Sequence, residues 1–200
     1  MSQDGETMRA YAKAADDYAR GFAHSSNTDQ EEDHAAFVAL LPAGGRILDL
    51  GCGPGHWAAR FAAEGFSVEA TDASREMARH AAAAYGLEVA VGPFEDLVAE
   101  ARYDGVWANF SLLHAPRRAF PGHLRRIRRA LRAHGALSLG MKLGEGEGRD
   151  SLGRFYAYYS EAELRDALEQ AGFTVLRTRR GNGRGLAGAE ETFVVLTGRA

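Results

Sequence analysis

Three groups of residues have types and spacings suited to chemistry. The first is Asp49 followed by alternating glycines at Gly51, Gly53 and Gly55. Glycine lacks a Cβ and tolerates positive φ, so such a turn lets a ligand approach the backbone. A helical pattern begins at Trp57 and offers unsatisfied N–H groups to any anionic part of that ligand. The spacing is G-x-G-x-G, and the third glycine of the dinucleotide fingerprint would fall on His56. The second group is Asp72, which closes the apolar run Phe66 to Thr71, 21 residues after Gly51. An acid at that strand end can accept hydrogen bonds from both hydroxyls of a ribose. The third group comes later: Asn109, His114, Lys142, Arg154 and Tyr156. His114 can take a proton near neutral pH. Lys142 and Arg154 can hold an anion, although solvated surface charge is the commoner use of such residues. Tyr156 sits in an aromatic cluster with Phe155, Tyr158 and Tyr159 that can wall a substrate or fill the core.

Alternating elements must position these groups. Residues 6–23 read as a helix with Tyr11 and Tyr18 on its apolar side, and a second helix runs from about Gln30 to Leu41 and stops at Pro42. Ile47 to Leu50 is a buried strand, Trp57 to Glu64 a helix and Ser67 to Thr71 a strand. Ser74 caps a helix over Arg75 to Tyr85 that Gly86 ends. Leu87 to Val91 and Tyr103 to Phe110 are the third and fourth strands. Arg118 to Arg132 is a helix with a core stripe at Leu124, Ile127 and Leu131, and Gly135 to Leu143 is the fifth strand. The glycine-rich loop 144–150 reads as mobile and is placed where a substrate lid would be. Ser160 and Glu163 form a capping box for a helix that ends at Gly172. Phe173 to Thr178 and Glu191 to Thr197 are strands joined by the glycine-rich turn 181–188, which implies an antiparallel hairpin. Strands alternating with helices predict an α/β fold with a mostly parallel sheet, helices on both faces and ligands at the carboxyl ends of the strands.

Composition narrows the function classes. Two hundred residues suit one domain with a sizeable core, and 46% hydrophobic with 26% charged residues is ordinary for a globular protein. The net charge of −3 points to neither nucleic acid nor membrane. Seven arginines cluster between Arg117 and Arg132, but they solvate the outer face of an amphipathic helix. The single cysteine, Cys52, excludes an internal disulfide and fits a cytoplasmic location. No apolar run approaches a membrane span, and the polar, acidic N-terminus does not read as a secretory signal. No H-x-x-x-H pair or cysteine pair supports a metal.

The strings L-D-L-G-C-G-P-G (residues 48–55) and V-E-A-T-D-A-S (residues 68–74) resemble motifs I and II of class I S-adenosylmethionine-dependent methyltransferases. The segment Asn109 to Pro116 resembles motif IV, where the transferred methyl meets its acceptor. With Gly153 to Ser160, the chain is similar to small bacterial members loosely grouped with tellurite-resistance methyltransferases. The resemblance implies a Rossmann-like, seven-stranded, mostly parallel sheet ending in an antiparallel hairpin, with a helical lid over residues 1–41 and a core over 42–200. It implies S-adenosylmethionine as cofactor. Asp49, Gly51, Cys52, Gly53, Gly55, Asp72, Ala73, Met77, Phe94, Glu95 and Asn109 would lie at the cofactor, with Tyr11 and Tyr18 from the lid. Many relatives carry an Asp where this chain has Pro93, which removes one adenine contact. His114 would be the catalytic base, and Lys142, Arg154 and Tyr156 would meet the substrate, a small molecule. Two alternatives stand beside this reading. One is a non-catalytic domain of the same fold that senses the cofactor or supports a partner. The other is a nicotinamide-dependent oxidoreductase, against which His56 and the hairpin ending both count.

Overall fold

The computed structural model describes residues 5–11 and 28–200. A helical segment, α1, covers residues 5–11. The chain continues as α2 (Thr28–Val38), β1 (Arg46–Leu50), α3 (His56–Ala63), β2 (Ser67–Asp72), α4 (Arg75–Tyr85), β3 (Val89–Val91) and β4 (Tyr103–Asn109). It ends with α5 (Phe120–Ala130), β5 (Leu131–Lys142), β6 (Glu147–Arg149), β7 (Phe155–Ala157), α6 (Glu161–Gln170), β8 (Thr174–Arg184) and β9 (Glu190–Arg199). Tyr18 and the remainder of the expected first helix lie outside the described residues.

Seven strands form one sheet in the order β3-β2-β1-β4-β5-β9-β8. The pairs among β1 to β5 are parallel, and β9 runs antiparallel to both β5 and β8. Period-2 alternation sorts the strand side chains onto two covered faces. Leu48, Leu50, Leu137 and Leu139 pack with Leu124 and Ile127 of α5 and Leu164 and Leu168 of α6. Ile47, Trp107 and Ala136 pack on the other face with Phe37 of α2 and Trp57 and Phe61 of α3. The strand order reverses between β1 and β4, which opens a crevice at their carboxyl ends.

Local chemistry sets the ends of the helices. The Ser74 hydroxyl accepts from the Met77 N–H at 3.2 Å, and Gly86 closes α4 with φ 68°. Ser160 and Glu163 form the full capping box of α6. Arginines around α5 hold neighbouring segments: Arg128 bonds the Gly172 carbonyl at 3.2 Å and Arg132 the Asp104 carboxylate at 2.7 Å. Among the described residues no helix is long and apolar enough to cross a membrane.

Two expectations are corrected. Residues 144–150 are not an open loop, because β6 pairs antiparallel with β7. The turn between them is tied by one side chain: Asp150 Oδ1 accepts from the backbone N–H groups of Leu152 at 3.0 Å and Arg154 at 2.9 Å. The turn expected over 181–188 is also shorter, because β8 continues to Arg184. Gly181 stays in the ladder opposite Phe193, whose ring would stand 2.4 Å from a Cβ at position 181. Glycine here makes room for a ring instead of ending the strand.

Candidate active site

The carboxyl ends of β1 and β4 open into a cavity of about 450 Å³, within the range of small-molecule sites. One end is built on the glycine turn. The backbone N–H groups of Gly51 and Cys52 both donate to the Thr71 carbonyl, at 2.8 and 2.9 Å, which fixes the turn to the end of β2. Gly51 has φ 77°, and a Cβ there would meet Ser111 Cβ at 2.4 Å. Ser111 closes down on the turn because its hydroxyl donates to the Leu50 carbonyl at 2.6 Å. Gly55 has φ 85°, and a Cβ would strike Ala81 and Leu87 at 2.8 and 2.9 Å. It is the N-cap of α3 and brings no side-chain cap, so its role is close packing on α4.

Two carboxylates flank this turn. Asp72 binds both of its oxygens to backbone, Oδ2 to the Gly53 N–H at 2.8 Å and Oδ1 to the Ser74 N–H at 2.7 Å. Burial raises its pKa against those donors. Asp49 is 2% exposed, and its Oδ2 has no hydrogen-bond partner. Burial, followed by the charge of Asp72, pushes Asp49 up to about 8. A buried, half-satisfied carboxylate lining a cavity is a site for a cationic donor.

The other end is a closed polar network beneath α1. His114 Nδ1 lies 2.6 Å from the Phe155 carbonyl oxygen, which can only accept. Nδ1 therefore carries the proton and Nε2 the lone pair. The Tyr11 hydroxyl donates to that Nε2 at 2.8 Å and accepts from Arg154 Nη1 at 3.3 Å. Thr7 on α1 accepts from the Phe155 N–H at 2.7 Å, so both polar groups of one β7 residue are engaged. Burial lowers His114 to about 4 and raises Tyr11. Arg154, 3% exposed, pairs with Asp150 at 2.6 Å, and Lys142 pairs with Glu191 at 2.6 Å. Lys142 Nζ also stands 3.5 Å above the Tyr156 ring centre.

The structure gathers most of the residues singled out from sequence. Tyr11, Asp49, Gly51, Cys52, Gly53, Asp72, Ala73, Met77, Phe94, Asn109, His114, Lys142, Arg154 and Tyr156 all line the one cavity. Gly55 and Glu95 do not line it. The charge of Glu95 acts instead on His123, whose ring sits edge-on to Phe94 at 5.5 Å. Lys142 and Arg154, expected at the substrate, line the cavity and are each paired with a carboxylate, Glu191 and Asp150.

Sequence reasoning passed over Thr7, Trp107, Glu191, Phe193 and the β8–β9 tip from Gly183 to Leu186, and it reached Phe110 and Ser111 only as part of the string Asn109 to Pro116; all of these line the cavity. One signal for Glu191 and Phe193 was available. Alternation places Glu191 and Phe193 on the same face of β9, directed at whatever Lys142 meets. Phe110 left no such signal: its φ of 54° turns the chain abruptly after β4, and its ring meets Phe193 edge-on at 5.3 Å.

The family model of a methyltransferase domain matches residues 22–178. Among solved structures, the chain is similar to the 1,6-didemethyltoxoflavin-N1-methyltransferase of Burkholderia thailandensis, at 26% identity and a TM-score of 0.78, covering 97% of this chain and 87% of that one. A methyltransferase from Methanosarcina mazei shares the fold at 19% identity and a TM-score of 0.71, covering 81% of this chain and 95% of that one. The [4+2]-cyclase SpnF shares it at 21% identity and a TM-score of 0.65, covering 80% of this chain and 76% of that one. The chain belongs to the methyltransferase-domain family and is an S-adenosylmethionine-dependent methyltransferase.

Proposed function

We propose that the protein methylates a small molecule held between His114, Tyr11, Arg154 and the aromatic wall of Phe110 and Phe193. The observation that supports this is one cavity with two unlike ends: a glycine turn flanked by Asp49 and Asp72, and a closed tyrosine–histidine network. The first end fits the cofactor. The orphaned Asp49 Oδ2 suits its ammonium, and the remaining lone pairs of Asp72 suit ribose hydroxyls. Met77 and Phe94 give an apolar slot for the adenine. The similar enzyme from Burkholderia thailandensis, whose structure holds 1,6-didemethyltoxoflavin and S-adenosylhomocysteine, gives a precedent for a small heterocyclic acceptor.

The cofactor supplies an activated methyl on a sulfonium. The protein's task is to hold the acceptor in line and exclude water, and positioning contributes ~7–11 kcal/mol. The α1 segment serves as the lid, because Thr7 and Tyr11 bind it to β7 and His114. An acceptor that attacks with its proton attached needs a base. The proton passes to the Tyr11 oxygen while the Tyr11 proton moves to His114 Nε2. With the cofactor bound, His114 would take up the positive charge that methyl transfer removes, so the net charge of the closed site would be unchanged. Low intrinsic basicity keeps His114 neutral and ready at physiological pH.

The test is S-adenosylhomocysteine release from the purified protein against pooled phenols, amides, amines, thiols, carboxylic acids and selenite. Release with a small organic pool is the expected result. Release with none of them, from protein that binds S-adenosylhomocysteine by calorimetry, would contradict the small-molecule reading.

A further inference from the structure

Resting on the reading above, we infer that the acceptor subsite selects a neutral molecule with an apolar body and rejects carboxylates and oxyanions. Among the described residues, the inner end of the cavity contains three basic side chains, Lys142, Arg154 and His114, and each has a partner. Lys142 is held by both Glu191 oxygens, at 2.7 and 2.6 Å. Arg154 is held by Asp150 through Nε at 2.8 Å and Nη2 at 2.6 Å. His114 presents a lone pair covered by the Tyr11 hydroxyl. The positive and negative side chains there cancel.

This balance decides what can enter. An anion brought into the subsite loses its hydration and, among the described side chains, finds no cation that is not already paired with a carboxylate. To gain one it must draw the buried Lys142 or Arg154 away from its carboxylate partner, Glu191 or Asp150. A neutral amide, lactam or phenol meets no such penalty. Its polar edge can share the network, and its body can lie on Phe110 and Phe193. Arg184 also lines the cavity, but it is exposed at the mouth and opposite Glu190 in the β8–β9 register. Solvent screens a charge placed there.

The experiment is calorimetry on protein preloaded with S-adenosylhomocysteine at neutral pH. The probes are matched pairs, benzamide with benzoate and 2-naphthamide with 2-naphthoate, together with selenite. At least one amide is expected to bind about tenfold or more tightly than its carboxylate, with no selenite binding. Glu191→Gln frees Lys142 and is expected to narrow the amide-over-carboxylate preference by about tenfold. A carboxylate or selenite that binds wild-type protein as tightly as the amides would overturn the inference. So would failure of all four organic probes. The wild-type comparison stands even if the variant does not fold. Failure to load S-adenosylhomocysteine would overturn the cofactor assignment as well, so the two failures are told apart at the first injection.

Discussion

Asp49 holds the main electrostatic tension in the molecule. Its folded pKa of about 8 lies well above the ~3.9 of an unfolded aspartate. The protonated form therefore carries its stability, which is fully present below about pH 4 and lost as pH rises through 8. Asp49→Asn is expected to raise the melting temperature at pH 8 while weakening S-adenosylhomocysteine binding at least tenfold, since a neutral amide cannot pair with the ammonium. For the wild type, calorimetry at pH 7 in buffers of different ionisation enthalpy is expected to show proton release on binding, fading above pH 9. Absence of release would mean that Asp49 does not meet the ammonium. The Tyr11–His114 pair gives a second prediction. With cofactor saturating, the acid limb of kcat is expected near pH 4 and not near 6.5, because burial lowers His114 to about 4. Tyr11→Phe is expected to lower kcat at least tenfold with S-adenosylhomocysteine affinity nearly unchanged, and an equal loss in both would make Tyr11 a cofactor residue. Asp72→Ala is expected to weaken cofactor binding by about 1–3 kcal/mol, by removing an acceptor and loosening the Gly53 backbone.

Among the elements, the β6–β7 hairpin shows what sequence reading could and could not reach. Alternation, caps and the paired acids made β1, β2, α4, α6 and the glycine turn legible, because each rests on local chemistry. The hairpin was hidden because its strands span three residues each and its glycines look like loop residues. What orders it is Asp150, which caps the turn and then holds Arg154 in the cavity wall. Asp150→Ala is expected to destabilise the fold by about 3 kcal/mol in urea unfolding, since it strands a buried guanidinium. A change within 0.5 kcal/mol would show that the turn holds without it. The charge state of the acceptor end was illegible for a similar reason. Lys142 and Glu191 are 49 residues apart, and only the antiparallel register of β5 and β9 brings them together.

The whole molecule follows one arrangement: a sheet that reverses order between β1 and β4 puts one long cavity across its carboxyl edge. The end proposed for the cofactor uses residues from β1, β2 and their turns, which the family strings make readable. The end proposed for the acceptor draws on α1, the segment after β4, β5, β7 and the β8–β9 tip, so no single stretch of sequence encodes it. Fold sharing with SpnF, a cyclase, marks the same division between frame and site. The most direct test of the account is a single-turnover reaction of the cofactor-loaded protein with the pooled neutral acceptors, read by mass spectrometry for S-adenosylhomocysteine and the methylated product together. Both are expected in equal amounts, and both are suppressed in Tyr11→Phe. Neither product from protein with bound cofactor, or full activity in that variant, would contradict it.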